Sequence, residues 1–168
     1  MSSDVDVAEL NVLPQDGAVE LLRPVCASHA WLRAIVDARP YRDLAELSTR
    51  SDELLATLEW QAIEDALAAH PRIGDRPAGT DREAGWSRQE QSGAATASPE
   101  VADALRAGNV AYEQRFGRVF LICATGRTAE EMLAELTRRL GNDEAAEREV
   151  VRRELAAIVR LRLAKALR

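Results

Sequence analysis

The spacing of apolar residues constrains this chain more than any other feature, because over most of its length they recur at helical intervals. Val19, Leu22 and Cys26 stand at i, i+3 and i+7, and Trp31, Ile35 and Ala38 at i, i+4 and i+7. Leu54, Leu58, Ala62, Ala66 and Ala69 continue the pattern as one stripe. A segment with this period has one apolar face and must bury it against another element. Composition points the same way. The chain is 46% hydrophobic but only 4% aromatic, so its core is built mainly from Leu, Ala, Val and Ile. Ala and Leu are strong helix formers, whereas strands draw on β-branched and aromatic residues. The expected fold is all-α: a single-domain bundle over residues 1–168 with residues 1–8 frayed and about seven to nine helices.

Prolines, glycines and caps divide the chain. Pro24 and Pro40 punctuate two short helices, and Ser51 can cap a third that runs to the His70-Pro71 boundary. Residues 71–86 hold Pro71, Gly74, Pro77, Gly79 and Gly85, the one long irregular segment. A loop of that length is more often functional than idle. Helical character resumes at Ser87. Ser98-Pro99 opens a helix reaching Phe116, with proline at its first position. Thr128-x-x-Glu131 is a capping box for a helix ending near Gly141, and Asn142 or Asp143 caps the last one. On that helix Leu155, Ile158, Val159, Arg162 and Leu163 share a face. Val119 to Ala124 is a continuous apolar run of strand-like composition. It is too isolated to form a sheet, so residues 119–124 are expected as a short buried extended segment between helices.

Several functions are excluded. The net charge is −6 with both signs mixed, and no basic stripe offers a nucleic-acid surface. No apolar run approaches the ~20 residues needed to span a bilayer, and no signal peptide opens the chain, so no membrane partner and a cytoplasmic location are expected. Cys26 and Cys123 are the only cysteines, too dispersed for a disulfide framework, and read as reduced buried thiols. There is no phosphate-cradling loop, dinucleotide fingerprint or His/Cys cluster, so neither a cofactor nor a metal is expected. Chemistry would then rest on acid–base side chains and on an electron sink within the substrate.

Few residues could carry it. His29 sits beside Trp31 and reads as a surface or packing histidine. His70 stands at a helix C-terminus before a proline and a glycine-bearing loop. There it is either a capping residue or an acid–base group, histidine being the side chain that titrates nearest neutral pH. Ser87-x-x-Glu90 is either a capping box or, with Gln91, a hydroxyl, a carboxylate and an amide on one helical face. The second arrangement suits a small, polar, planar ligand. Arg127 reads as structural or as lining such a site.

His70-Pro71-Arg72-Ile73-Gly74-Asp75, followed by Ser87-x-x-Glu90-Gln91-x-Gly93, resembles the signature of the 2-oxo-4-hydroxy-4-carboxy-5-ureidoimidazoline (OHCU) decarboxylase family. Phe116-Gly117-Arg118-Val119-Phe120-Leu121-Ile122-Cys123-Ala124-x-Gly126-Arg127 is similar to a third hallmark, and Leu10-Asn11, Cys26, Trp31 and Arg39-Pro40-Tyr41 to the family's N-terminal region. The resemblance implies a cofactor-independent carboxy-lyase of urate degradation that converts OHCU to (S)-allantoin. It implies His70 and Glu90 as the catalytic pair. Pro71, Ser87 and Gln91 would bind the small-molecule substrate, the backbone around Phe120 and Ile122 would hydrogen-bond its ring, and Arg162, with Arg160 as fallback, would reach it from the last helix. It also implies an all-helical fold and a homodimer. The competing readings are a helical protein-interaction module without catalysis and a related cofactor-free lyase acting on another oxidised purine.

Overall fold

The computed structural model describes residues 5–75 and 81–167. The frayed end expected over residues 1–4 and the loop positions Pro77 and Gly79 lie outside the described residues. Among those residues the chain is all-α, with helices α1 (Val7–Val12), α2 (Gln15–Leu22), α3 (His29–Asp37), α4 (Leu44–Thr57), α5 (Trp60–Leu67), α6 (Arg82–Glu90), α7 (Ser92–Ala95), α8 (Pro99–Phe116), α9 (Ala129–Arg139) and α10 (Glu144–Ala166). The described helices number ten rather than seven to nine, for two reasons. Val7 and Ala8, expected frayed, already belong to α1, whose Asp6 cap accepts from the Glu9 N–H. The stripe from Leu54 to Ala69 is also divided. Leu58 ends α4 in a non-helical conformation (φ −59°, ψ 148°) and α5 restarts at Trp60. A break this short leaves the three-to-four-residue period undisturbed, so spacing alone does not reveal it.

Ser51 is not a cap. It is buried inside α4, where its hydroxyl accepts from Trp31 Nε1 at 3.0 Å, and Asp43 caps the helix by accepting from Glu46 N at 2.8 Å. The caps expected for α8, α9 and α10 are in place. Ser98 accepts from Val101 N, with Pro99 behind it, and Gly117 closes α8 in the left-handed region (φ 70°). Thr128 and Glu131 form the reciprocal box of α9, and Asp143 accepts from Ala146 N at 2.7 Å to start α10. Each such cap contributes on the order of 1 kcal/mol.

The chain forms two compact units. The first comprises Met1–Ala66 and Leu155–Arg168. Its core holds Leu10, Leu22, Trp31, Leu32, Ile35, Leu47, Leu55 and Ile63, with Leu155, Val159 and Leu163 from α10, all fully buried. The Arg39 guanidinium donates to the carbonyls of Leu10 (2.8 Å) and Leu13 (2.7 Å) at the end of α1. Asn11 meets both backbone groups of Tyr41, at 2.7 and 2.9 Å. The family-like residues Asn11, Arg39 and Tyr41 thus fasten α1 to the chain after α3.

The second unit is Leu67–Glu154. Its core gathers Ile73, Leu105, Tyr112, Phe116, Phe120, Ile122, Ala124, Ala129, Met132 and Leu136. Residues 119–124 lie outside every helix, and Phe120, Leu121, Ile122 and Ala124 are buried, as the apolar run predicts. The surprise is polar. Arg139 and Glu147 are both fully buried and paired at 2.5 Å, with Tyr112 Oη donating to the same carboxylate and Asn142 Nδ2 to its other oxygen at 3.1 Å. The guanidinium stacks over the Phe120 ring at 4.6 Å and donates to Leu121 O at 2.7 Å. Three side chains, Arg139, Tyr112 and Asn142, around one buried carboxylate are what make such a burial tolerable.

Candidate active site

His70 stands three residues past the last helical residue of α5. α5 ends at Leu67, and the His70 N–H closes the following turn on Leu67 O at 3.0 Å. Its imidazole is half-buried at the start of the loop, and that loop is fixed by side chains from elsewhere in the second unit. Asn109 Nδ2 donates to Ile73 O at 2.9 Å, and Arg72 makes a two-pronged contact with Glu113, one turn further along α8. Gly74 N donates to Gln91 Oε1 at 3.0 Å, and the Ile73 side chain enters the core. Gly74 itself has φ 96°, a conformation that side chains rarely allow. Loop residues just after His70 are therefore held at the backbone, the side chain and the turn.

The capping-box reading of Ser87 and Glu90 is overturned. α6 begins five positions before Ser87, at Arg82, and Asp81 caps it by accepting from Ala84 N at 2.8 Å. Ser87 is an interior helical residue whose carbonyl accepts from Gln91 N at 3.1 Å. Its side chain and that of Glu90 are both buried, at 3% and 9% exposure, one turn apart. Sequence reasoning missed this start because Asp81 follows a glycine- and proline-rich stretch that hides the helical period.

A cleft of about 320 Å³ in the second unit is lined by His70, Pro71, Asp81, Glu83, Ala84 and Ser87, among others. A second cavity of about 630 Å³ includes Gly74, Arg88 and Gln91. The groove of about 520 Å³ in the first unit is less promising, since its Arg42 is already paired with Glu46 at 2.7 Å and its Arg50 with Glu53 at 3.8 Å.

The non-helical run borders this region. Burial raises the Cys123 thiol pKa above its ordinary value, the Glu154 carboxylate adds to the effect, and the Glu90 carboxylate contributes further. Gly93, in α7 just past Gln91, comes so close to α9's leading strand of chain that an added Cβ would stand 2.1 Å from Arg127 O. Only glycine allows that approach. Phe120 and Ile122 make no backbone hydrogen bond among the described residues, whereas Leu121 O and both backbone groups of Cys123 are taken by side chains.

Arg162 belongs to the first unit, is 1% exposed, and donates to Pro24 O at 3.0 Å. Arg160 is exposed and paired with Asp52. His29 is exposed at the first position of α3. Cys26 is buried and Cys123 half-buried, both as free thiols. Among the described residues no three His, Cys, Asp or Glu side chains gather where a metal could be held, and no helix is long and apolar enough to cross a membrane.

A helical scaffold that carries a histidine, a serine and a buried glutamate into one region, beside backbone not consumed by helix, defines the class: a small all-α enzyme. The family model described as OHCU decarboxylase matches residues 11–164. The 2-oxo-4-hydroxy-4-carboxy-5-ureidoimidazoline decarboxylase of Amia calva is 30% identical over 95% of this chain and 93% of its own. An Arabidopsis thaliana uric acid degradation bifunctional protein is 41% identical over 83% of this chain and 44% of its own length. A solved OHCU decarboxylase, crystallised in the presence of (S)-allantoin, superposes with a TM-score of 0.74 at 28% identity, covering 86% of this chain and 94% of that one. The chain belongs to the OHCU decarboxylase family.

Proposed function

We infer that this chain decarboxylates 2-oxo-4-hydroxy-4-carboxy-5-ureidoimidazoline to (S)-allantoin, the third step from urate, with His70 and Glu90 as its catalytic pair. The observation that carries the assignment of the pair is the placement of Glu90 one helical turn from Ser87, which shares a cleft with His70 and Pro71. The substrate bears a hydroxyl and a carboxylate on one ring carbon, next to a C=N bond. Loss of CO2 sends the bonding electrons into that imine, so the substrate is its own sink. The hydroxyl becomes a carbonyl, and the neighbouring carbon takes a proton on one face. His70 receives or relays the hydroxyl proton, and Glu90 holds it and directs the reprotonation.

Ser87, Pro71 and the amide of Gln91 hold the ring's polar edge. Gln91 has its oxygen committed to Gly74 N, so it offers its NH2 group as a donor. The backbone groups of Phe120 and Ile122 pair with the ring's amide edge. Arg162 anchors an anionic or carbonyl edge through its planar fork. Its burial within α10 supports it over Arg160, which is engaged by Asp52 on an exposed surface. Residues 1–168 act as one catalytic domain, a reading supported by the family match over residues 11–164. The working form is a cytoplasmic homodimer, to be checked by light scattering and fractionation.

The test is circular dichroism in the allantoin absorption region, started by adding urate, its oxidase and the hydrolase. The protein accelerates appearance of the (S)-allantoin signal, and His70→Ala and Glu90→Ala each remove ~10²–10⁴-fold of that acceleration. A signal held at the slow racemic background with folded protein refutes the activity. Near-normal turnover in His70→Ala refutes the site.

A further inference from the structure

The non-helical run is gripped at alternate residues. Arg139 donates to Leu121 O at 2.7 Å. Two positions on, Glu154 Oε1 accepts from Cys123 N at 3.2 Å, and Arg127 Nε donates to Cys123 O at 3.2 Å. Arg127 and Glu154 are themselves paired, Nη2 to Oε1, at 3.8 Å. The two backbone groups of Cys123 are therefore closed by the two ends of one ion pair. The backbone groups of residues 121 and 123 are thus taken by charged side chains, whereas Phe120 and Ile122 make no backbone hydrogen bond among the described residues.

We propose that Arg127 and Glu154 are positioning residues of the active site, a paired clamp on Cys123 that holds the run with the backbone groups of Phe120 and Ile122 left for the substrate. This rests on the reading that the backbone of Phe120 and Ile122 hydrogen-bonds the substrate ring. Anchoring the run to the core does not require the clamp, since the fully buried Arg139 already does so through Leu121. The clamp lies at the end of the run that faces the catalytic machinery. Gly93, two residues past Gln91, packs against the carbonyl of Arg127 with no room for a Cβ. Glu90 is close enough for its charge to bear on Cys123. The pairing also matters electrostatically. Glu154 alone would add a second carboxylate charge near Glu90 and an anionic substrate, and Arg127 offsets it.

The coupled assay on the full chain tests the clamp. Glu154→Leu and Arg127→Met each raise KM about tenfold while kcat stays within about threefold, because the lost interaction holds the ring rather than moves the proton. Glu154→Gln keeps a carbonyl acceptor for the Cys123 N–H and stays within about threefold of wild-type KM. The double variant is no worse than the poorer single one by more than about threefold, since both act through one clamp. Amide hydrogen exchange on the wild-type protein provides a reading that needs no variant to fold. The Cys123 amide is protected without ligand, and the Phe120 and Ile122 amides gain protection only when (S)-allantoin is added. Unchanged KM in both truncations, or Glu154→Gln as impaired as Glu154→Leu, overturns the clamp. Wild-type protein that is inactive, or whose Phe120 and Ile122 amides are indifferent to allantoin, overturns the underlying reading instead, so the two failures are distinct.

Discussion

Replacing Arg139 with Met removes one half of a fully buried ion pair and leaves the other half behind. Glu147 would keep the Tyr112 hydroxyl and the Asn142 amide but lose the Nε and Nη2 contacts of the guanidinium, at 2.9 and 2.5 Å. Leu121 O would lose its donor. Breaking a buried pair from one side costs about 3–5 kcal/mol, largely because the remaining charge is uncompensated. An orphaned buried carbonyl costs about 1–3 kcal/mol. The methionine side chain recovers part of this by filling the space over the Phe120 ring, so a net loss of about 4 kcal/mol is expected. For a chain of this size that lowers Tm by about 8–16 °C. Urea unfolding followed by far-UV circular dichroism measures it, with Glu147→Met and the Arg139→Met/Glu147→Met double variant completing the cycle. The double variant recovers most of the loss, giving a coupling of about 2 kcal/mol or more. An Arg139→Met variant within about 1 kcal/mol of wild type, or a double variant equal to the sum of the singles, refutes the claim that this pair is a mutually dependent unit.

Three further outcomes follow from single contacts. Gly93→Ala places a Cβ 2.1 Å from Arg127 O; a backbone atom cannot swing aside, so the variant loses about 2–3 kcal/mol in the same unfolding assay and its decarboxylation rate falls, whereas a wild-type-like variant refutes the close approach. Tyr41 is buried, with its hydroxyl donating to Ile35 O at 2.6 Å, and burial pushes its pKa from 10.0 up to about 12. Its contribution to stability is thus fully present below about pH 10 and is lost as the pH rises towards about 12, where the unfolded chain ionises first. Up to about 2–3 kcal/mol disappears across that window, and Tyr41→Phe flattens this part of the pH profile; an identical profile in the variant refutes the assignment. The Cys123 thiol, raised by burial and by the Glu154 carboxylate, is alkylated by iodoacetamide at least about tenfold more slowly in the folded protein than in urea, and equal rates refute its shielding.

Much of the scaffold was legible because it is written locally. The period of Leu and Ala, Ser98-Pro99, the Thr128–Glu131 box and Asp143 each act within one turn of chain, and the helices begin there. The candidate site was legible in part for the same reason: Ser87 and Glu90 fall on one face by spacing alone, and His70 stands out as a histidine before a proline at the start of an irregular loop. The four residues of the capping-box pattern could not settle their own role. That depended on whether a helix started at Ser87 or had already started at Arg82, and the answer lay with Asp81.

What the sequence alone determined is the all-α class, the apolar faces and the residue types available for acid–base work, since these follow from periodicity and side-chain chemistry. The tertiary structure alone decided which charges are buried. Nothing in the composition of α9 and α10, both rich in Arg and Glu, marks Arg139 and Glu147 as fully enclosed while Arg138 pairs at the surface with Glu135. Nor does it mark Arg162 as buried and Arg160 as exposed, or Gly93 as the point where two backbones meet. Helical spacing fixes only which side chains share a face. Which face meets the core, and which polar atoms find partners there, is set by contacts between residues far apart in the chain, and those contacts have no local signature.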